Sequence, residues 1–185
     1  MRATDVHMSA AIDVEKRIVL VTGSIDTDEY QIIMRVPLPS AGEWTLIKAE
    51  TNLTNDPWIA WQMQLGEGIS IPMKDGQPEL LTSRNYGYTR YIPESNSVIF
   101  HGGGVENKGE VRPGEPILKF AKIETGMPEI VAAHSRMIPE ELPEFDTMIR
   151  NGNFKNSYPK MEVITPVTYL SLPEVFVKEE TAVQK

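Results

Sequence analysis

Alternation of apolar and polar positions with a period of two runs through the first two thirds of the chain. Between residues 59 and 65, Ile59, Trp61, Met63 and Leu65 share one side, while Trp58, Ala60, Gln62 and Gln64 share the other. That spacing predicts a strand with one buried face. Residues 18–22, 31–36 and 44–49 read as strands rich in β-branched and aromatic side chains, closed by Gly23 and by Pro37-Leu38-Pro39. Residues 69–73 continue the series up to Lys74-Asp75-Gly76, where Asp-Gly favours a tight turn. Residues 84–92, 97–100 and 116–123 complete it, separated by Gly102-Gly103-Gly104 and Pro113-Gly114. The predicted inward set is Ile18, Val19, Val21, Ile33, Leu46, Ile59, Trp61, Met63, Leu65, Ile71, Ile99, Leu118 and Phe120.

The pattern changes after Gly126. Pro128 suits a first helical turn, and Ile130, Val131, His134, Met137 and Ile138 then fall on one helical face before Pro139, which predicts a helix. A second short helix is expected over 140–150, with late strands over 160–170 and 175–177. Six prolines interrupt the apolar residues from 124 to 185, so no single regular element can bury them. The segment is expected to be an extended arm lying along another surface, its own core or a neighbour's.

Strands punctuated by glycine and proline, without alternating helices, predict a mainly β fold. The expectation is an antiparallel β-sandwich or jelly roll with short helices and an extended C-terminal arm. Its expected parts are a polar leader (1–15), a sandwich core (16–124), and short helices with the arm (125–185).

Charge and composition narrow the partners. Eighteen basic against 26 acidic residues give a net charge of -8, which argues against general binding to nucleic acid or to an anionic membrane. The absence of cysteine removes disulfides and thiolate chemistry. Asp5, Asp13 and Glu15 interrupt any signal-peptide-like apolar run, so a cytoplasmic or virion-assembled protein, not secreted through a signal peptide, is expected.

Candidate chemistry is sparse. His101-Gly102-Gly103-Gly104 spells the oxyanion-hole motif of α/β-hydrolase lipases and esterases, but the Gly-x-Ser-x-Gly elbow that the motif serves is missing. The length and strand pattern do not suit that class either, and the segment is read as a flexible loop between strands, where three glycines allow positive φ. The segment 23–30, with Asp26, Asp28 and Tyr30, resembles the Gly-x-Ile-Asp-x-Asp-Tyr motif of trimeric dUTPases, in which an aspartate activates water. Glu29 interrupts the match, and that family's Arg-Ser-Gly and glycine-rich phosphate segments are absent. The same carboxylates also read as a solvated turn or a calcium site. His7, His101 and His134 lack metal-ligand spacing, and His134 is expected to be buried and hydrogen-bonded. Glu140-Glu141 and Glu144-Asp146 are read as negative charge at a helix start, where the dipole favours it, rather than as a pair of glycosidase acids. No catalytic residue, metal or cofactor is assigned, and the protein is expected not to be an enzyme.

The stretch that draws most interest is 84–91. As a strand it lines Arg84, Tyr86, Tyr88 and Arg90 on one face, a composition that protein interfaces favour. With Trp58, on the polar side of its strand, these are the expected partner-binding residues. Three functions follow, in order. The first is a structural assembly subunit contacting its own copies or other structural proteins, a design common in capsid and tail-associated virion proteins. The second is a carbohydrate- or ligand-binding sandwich using its aromatic residues as platforms. The third is a hydrolase whose carboxylates are gathered by the fold.

Overall fold

A computed structural model describes residues 5–27, 30–104, 108–151 and 158–173. The strands in chain order are β1 (Val6–Asp13), β2 (Ile18–Ile25), β3 (Gln31–Pro37), β4 (Gly42–Asn52), β5 (Ala60–Leu65), β6 (Ile69–Ser70), β7 (Met73–Lys74) and β8 (Gln77–Pro78). They continue with β9 (Leu81–Ser83), β10 (Tyr88–Ile92), β11 (Ser97–His101), β12 (Pro116–Thr125), β13 (Glu129–Met137), β14 (Lys160–Ile164) and β15 (Val167–Tyr169). A 3-10 turn over Pro139–Glu144 leads into the helix α1 (Phe145–Asn151). None of the described helices is long and apolar enough to cross a membrane.

The strands form a β-sandwich. One sheet runs β15-β1-β2-β4-β12-β6, with β9 also on β12, and the other runs β10-β11-β5-β13-β3-β14. β7 and β8 form a small hairpin turned by Asp75 and Gly76, both at positive φ. Most pairings are antiparallel, but β2 with β4, β1 with β15 and β3 with β14 are parallel, so the sheets are mixed. β2 and β4 run in parallel because the connection between them passes through β3 in the opposite sheet.

The main core lies between the sheets, and Val19, Val21, Leu46, Trp61, Met63, Leu65 and Ile71 all take the inward places that alternation predicts. The outer faces are covered too. Ile18, Ile47, Leu80, Phe120 and Leu172 cluster outside the first sheet, with Leu118 against them. Ala60, Ile99, Met137 and Met148 cluster outside the second, packed by Ile59, Phe145 and Ile149. Ile18, Ile59, Ile99, Leu118 and Phe120 therefore serve outer clusters, while Ile33 is half-buried on the outward side of its strand. A strand covered on both faces has no solvent side to mark its direction.

Three expected segments take a different form. The polar leader holds β1, whose Val6, Met8, Ala10 and Ile12 are buried at period two. The expected helix after Pro128 is instead β13, a central strand between β5 and β3, with Ile130, Ala132, His134 and Arg136 buried at period two. Its apolar positions also fit a helical template, and pairing on both edges decides for the strand. The arm docks on its own chain. β14 extends the second sheet beside β3, and the chain then crosses at Thr165 and Pro166 to place β15 beside β1 in the first. Pro166 divides the arm into two strands, and its carbonyl accepts from Ala10 N at 2.8 Å. The expected strand over 175–177 lies outside the described residues.

Candidate functional site in the sandwich interior

β4 and β12 pair antiparallel with Lys48 directly opposite Lys119. Leu46 and Glu50 share the inward side with Lys48, and Ile117 and Ala121 share it with Lys119, so ordinary strand alternation carries both ammonium groups into the core. Like charges in this register repel. Glu50, two residues beyond Lys48, answers both: Oε1 lies 2.9 Å from Lys48 Nζ and Oε2 2.8 Å from Lys119 Nζ.

The opposite sheet supplies the rest. Lys48 Nζ donates to Nε2 of His134 on β13, whose Nδ1 donates to the Ile32 carbonyl at 3.3 Å. Arg136, next inward on β13, donates to the carbonyls of Thr27 and Tyr30, reaching the connection between β2 and β3. Lys119 Nζ sits 3.6 Å from the centroid of Trp61, and Trp58 lies 5.4 Å from Trp61, ring to ring. Such cation–π contact stabilises a desolvated ammonium. Glu50, His134, Arg136, Trp58 and Trp61 have no exposed surface, and the two lysines almost none. The indole N–H groups of Trp58 and Trp61 find no acceptor among the described residues.

These surroundings set the protonation states. Burial would raise the Glu50 carboxyl, but Lys119 and Lys48 outweigh it and hold Glu50 below the usual carboxylate range. Burial pushes Lys48 down against the pull of Glu50. It pushes Lys119 down much further, with Lys48 and Arg136 adding to the effect. His134 is held neutral by burial first and by Lys48 and Lys119 next. The cluster is thus a carboxylate flanked by two amines whose proton affinity burial lowers.

The residues expected to bind partners are divided by the fold. Trp58 and Tyr86 are withdrawn into the core, which corrects the expectation that they face a partner. Trp58 pairs through its backbone with Val111, and the chain bends at Ile59 before β5 begins, so Trp58 and Trp61 point into the same interior. Only Tyr88–Ile92 of the stretch forms a strand, and Tyr86 lies before it, its hydroxyl donating to the Trp58 carbonyl at 2.5 Å. Arg84, Tyr88 and Arg90 are exposed. Arg84 lies 5.6 Å from the Phe120 ring. Tyr88 stacks on His101 with centroids 5.4 Å apart, Arg90 Nε donates to His101 Nε2 at 3.2 Å, and Phe145 meets His101 edge-on at 5.0 Å.

The triple glycine has a backbone role. A side chain at Gly87 would meet Gly103 O at 2.8 Å, and Gly102 takes φ +72. This is close strand-to-loop packing. Asp26 is exposed at the end of β2, and Asp28 and Glu29 lie outside the described residues. Glu141 accepts from Ile138 N at 2.9 Å, a capping contact at the start of the 3-10 turn.

Residues 8–171, from β1 through β15, match the model of a family of unknown function, DUF6423. The chain belongs to that family. No curated protein and no solved structure matches it.

The interior cluster escaped sequence reading because its members lie on three strands and resemble solvated charges one at a time. A signal was present in Lys48 and Lys119, each in phase with apolar residues at i±2.

Proposed function

We propose that the protein is a ligand-binding β-sandwich whose interior takes a small anion at the Lys48 and Lys119 pair. The observation that carries this reading is that two buried amines share one carboxylate. A buried ammonium without full compensation is costly, and it either loses its proton or acquires an anion. The two indole donors without acceptors favour a ligand rich in acceptor oxygens. Arg136 ties the cluster to the connection between β2 and β3, where Asp26 is exposed.

Thermal unfolding in the presence of acetate, lactate, pyruvate, bicarbonate, phosphate or sulfate tests this. At least one is expected to raise the Tm of the wild type in a saturable manner. The Lys48→Met/Lys119→Met variant should not respond to it. A wild-type Tm indifferent to every anion overturns the reading.

A second reading, assembly into a larger oligomer, is favoured by β10 and β14, the edge strands of the second sheet among the described residues. β10 carries exposed Tyr88 and Arg90 at one edge, and β14 carries Glu162 and Ile164, the latter 88% exposed, at the other. Opposite charges and apolar surface at the two edges suit pairing with a second copy. Sedimentation of the wild type against Ile164→Asp and Arg90→Glu decides: assembly that persists unchanged in both variants removes these edges from consideration.

A further inference from the structure

We propose that Lys119 captures the carbonyl carbon of a small 2-oxo acid as an imine inside the sandwich. The inference rests on the interior being an anion site and adds a covalent bond to it.

Three features of the geometry single out this residue. Lys119 Nζ lies 2.8 Å from a carboxylate oxygen of Glu50, which places a proton carrier beside the nitrogen. A second lysine stands directly across the strand pair. A neighbouring cation and a desolvated setting are the conditions under which a lysine amine becomes a nucleophile at neutral pH. Lys48 is less available, because its nitrogen engages both Glu50 and His134. Among the described residues, Lys119 has Glu50 as its one anionic contact and otherwise packs on the face of Trp61.

A 2-oxo acid suits the remaining groups. Its carboxylate complements the Lys48 ammonium and the indole donors of Trp58 and Trp61, leaving the adjacent carbonyl for Lys119. The nitrogen lone pair of Lys119 forms the C–N bond while the C=O π pair moves to oxygen. Glu50 accepts a proton from the nitrogen and returns it to that oxygen, giving a carbinolamine. The nitrogen lone pair then expels the hydroxyl group, Glu50 carrying the remaining N–H proton to it, so that one water leaves and a neutral C=N remains. No oxidant or reductant is consumed.

Pyruvate with sodium cyanoborohydride is the test, read by intact mass and peptide mapping of the full chain. The reduced adduct is expected on the peptide holding Lys119 before it appears on the exposed Lys74 and Lys108, and it should be lost in Lys119→Met. Lactate, which has the carboxylate but no carbonyl, should block labelling of Lys119 in the wild type, a result that holds even if Lys119→Met fails to fold. Labelling confined to exposed lysines overturns the inference. If lactate and pyruvate both raise Tm while Lys119 stays unlabelled, the covalent step is wrong and the anion site stands. If none of the anions raises Tm and Lys119 stays unlabelled, both fall.

Discussion

Lys48 and Lys119 face each other in cross-strand register inside the sandwich, and the carboxylate of Glu50 closes on both. Removing the carboxylate leaves two amines opposed in a dry interior. Glu50→Gln should therefore destabilise the fold by about 3–5 kcal/mol, as when one partner of a buried pair is lost. The triple replacement Lys48→Met/Glu50→Leu/Lys119→Met should recover that loss or exceed the wild type. Denaturant unfolding of the two variants checks this, and a triple variant weaker than Glu50→Gln would show that the charges themselves hold the sheets together.

The interior also sets a pH dependence. His134, Lys48 and Lys119 have depressed proton affinity in the fold, so each contributes full stability only above its unfolded pKa and loses it as pH falls. The windows open downward from about 6.5 for histidine and about 10.4 for lysine. Tm should consequently climb from about pH 5 to about pH 9 instead of levelling near neutrality. Above about pH 10 it should fall, because burial, aided by Glu110, keeps the Tyr86 hydroxyl protonated in the fold while the unfolded phenol ionises. Lys119→Met should flatten the climb above neutrality, and an unchanged slope would mean that this amine stays charged when buried.

Trp61 joins the apolar core to the charged cluster, packing on Trp58, His134 and Lys119 at once. Trp61→Ala should cost roughly 3–5 kcal/mol, the range for a large aromatic cavity. A loss under about 1 kcal/mol would place the side chain at a surface.

The docked arm makes a different prediction from that of a free connector. Val163 and Leu172 are buried, and burying each contributes roughly 1.5–3 kcal/mol before entropy is deducted. Asp13 fastens the same segment by accepting from the backbone N–H of Lys16 and of Leu172, at 3.0 and 2.9 Å, and these bonds hold its carboxyl below the usual range. Deleting residues 158–185 should lower Tm markedly and expose β1 and β3 as edges. A truncated chain with wild-type Tm would show that the arm adds nothing to the fold. Asp13→Ala should release both contacts, visible as faster amide exchange at Lys16 and at Leu172.

Strands β2 through β5, β11 and β12 were legible because period-two patterning and turn residues agree there. β13 was not, since its inward Arg136 reads as polar and its apolar residues fit a helical face equally well. β1 was masked by the charged residues around it. The candidate site was the least legible part, because charge in a sequence signals solvent, and only the pairing of β4 with β12 shows that Lys48 and Lys119 meet. Arg84, Tyr88 and Arg90 are exposed, whereas the burial of Trp58 and Tyr86 depends on a bend and a backbone bridge with no local signature.

The parallel pairing of residues 10–12 with 167–169 bears on the order of events at the ribosome. β1 is made before every other described strand, yet its outer neighbour β15 follows more than a hundred residues later. Through that interval the nascent chain presents an incomplete sheet margin on which another chain can template. Closure waits for the arm, so the step that completes this sheet joins segments far apart in the chain, a non-local pairing of the kind that slows folding.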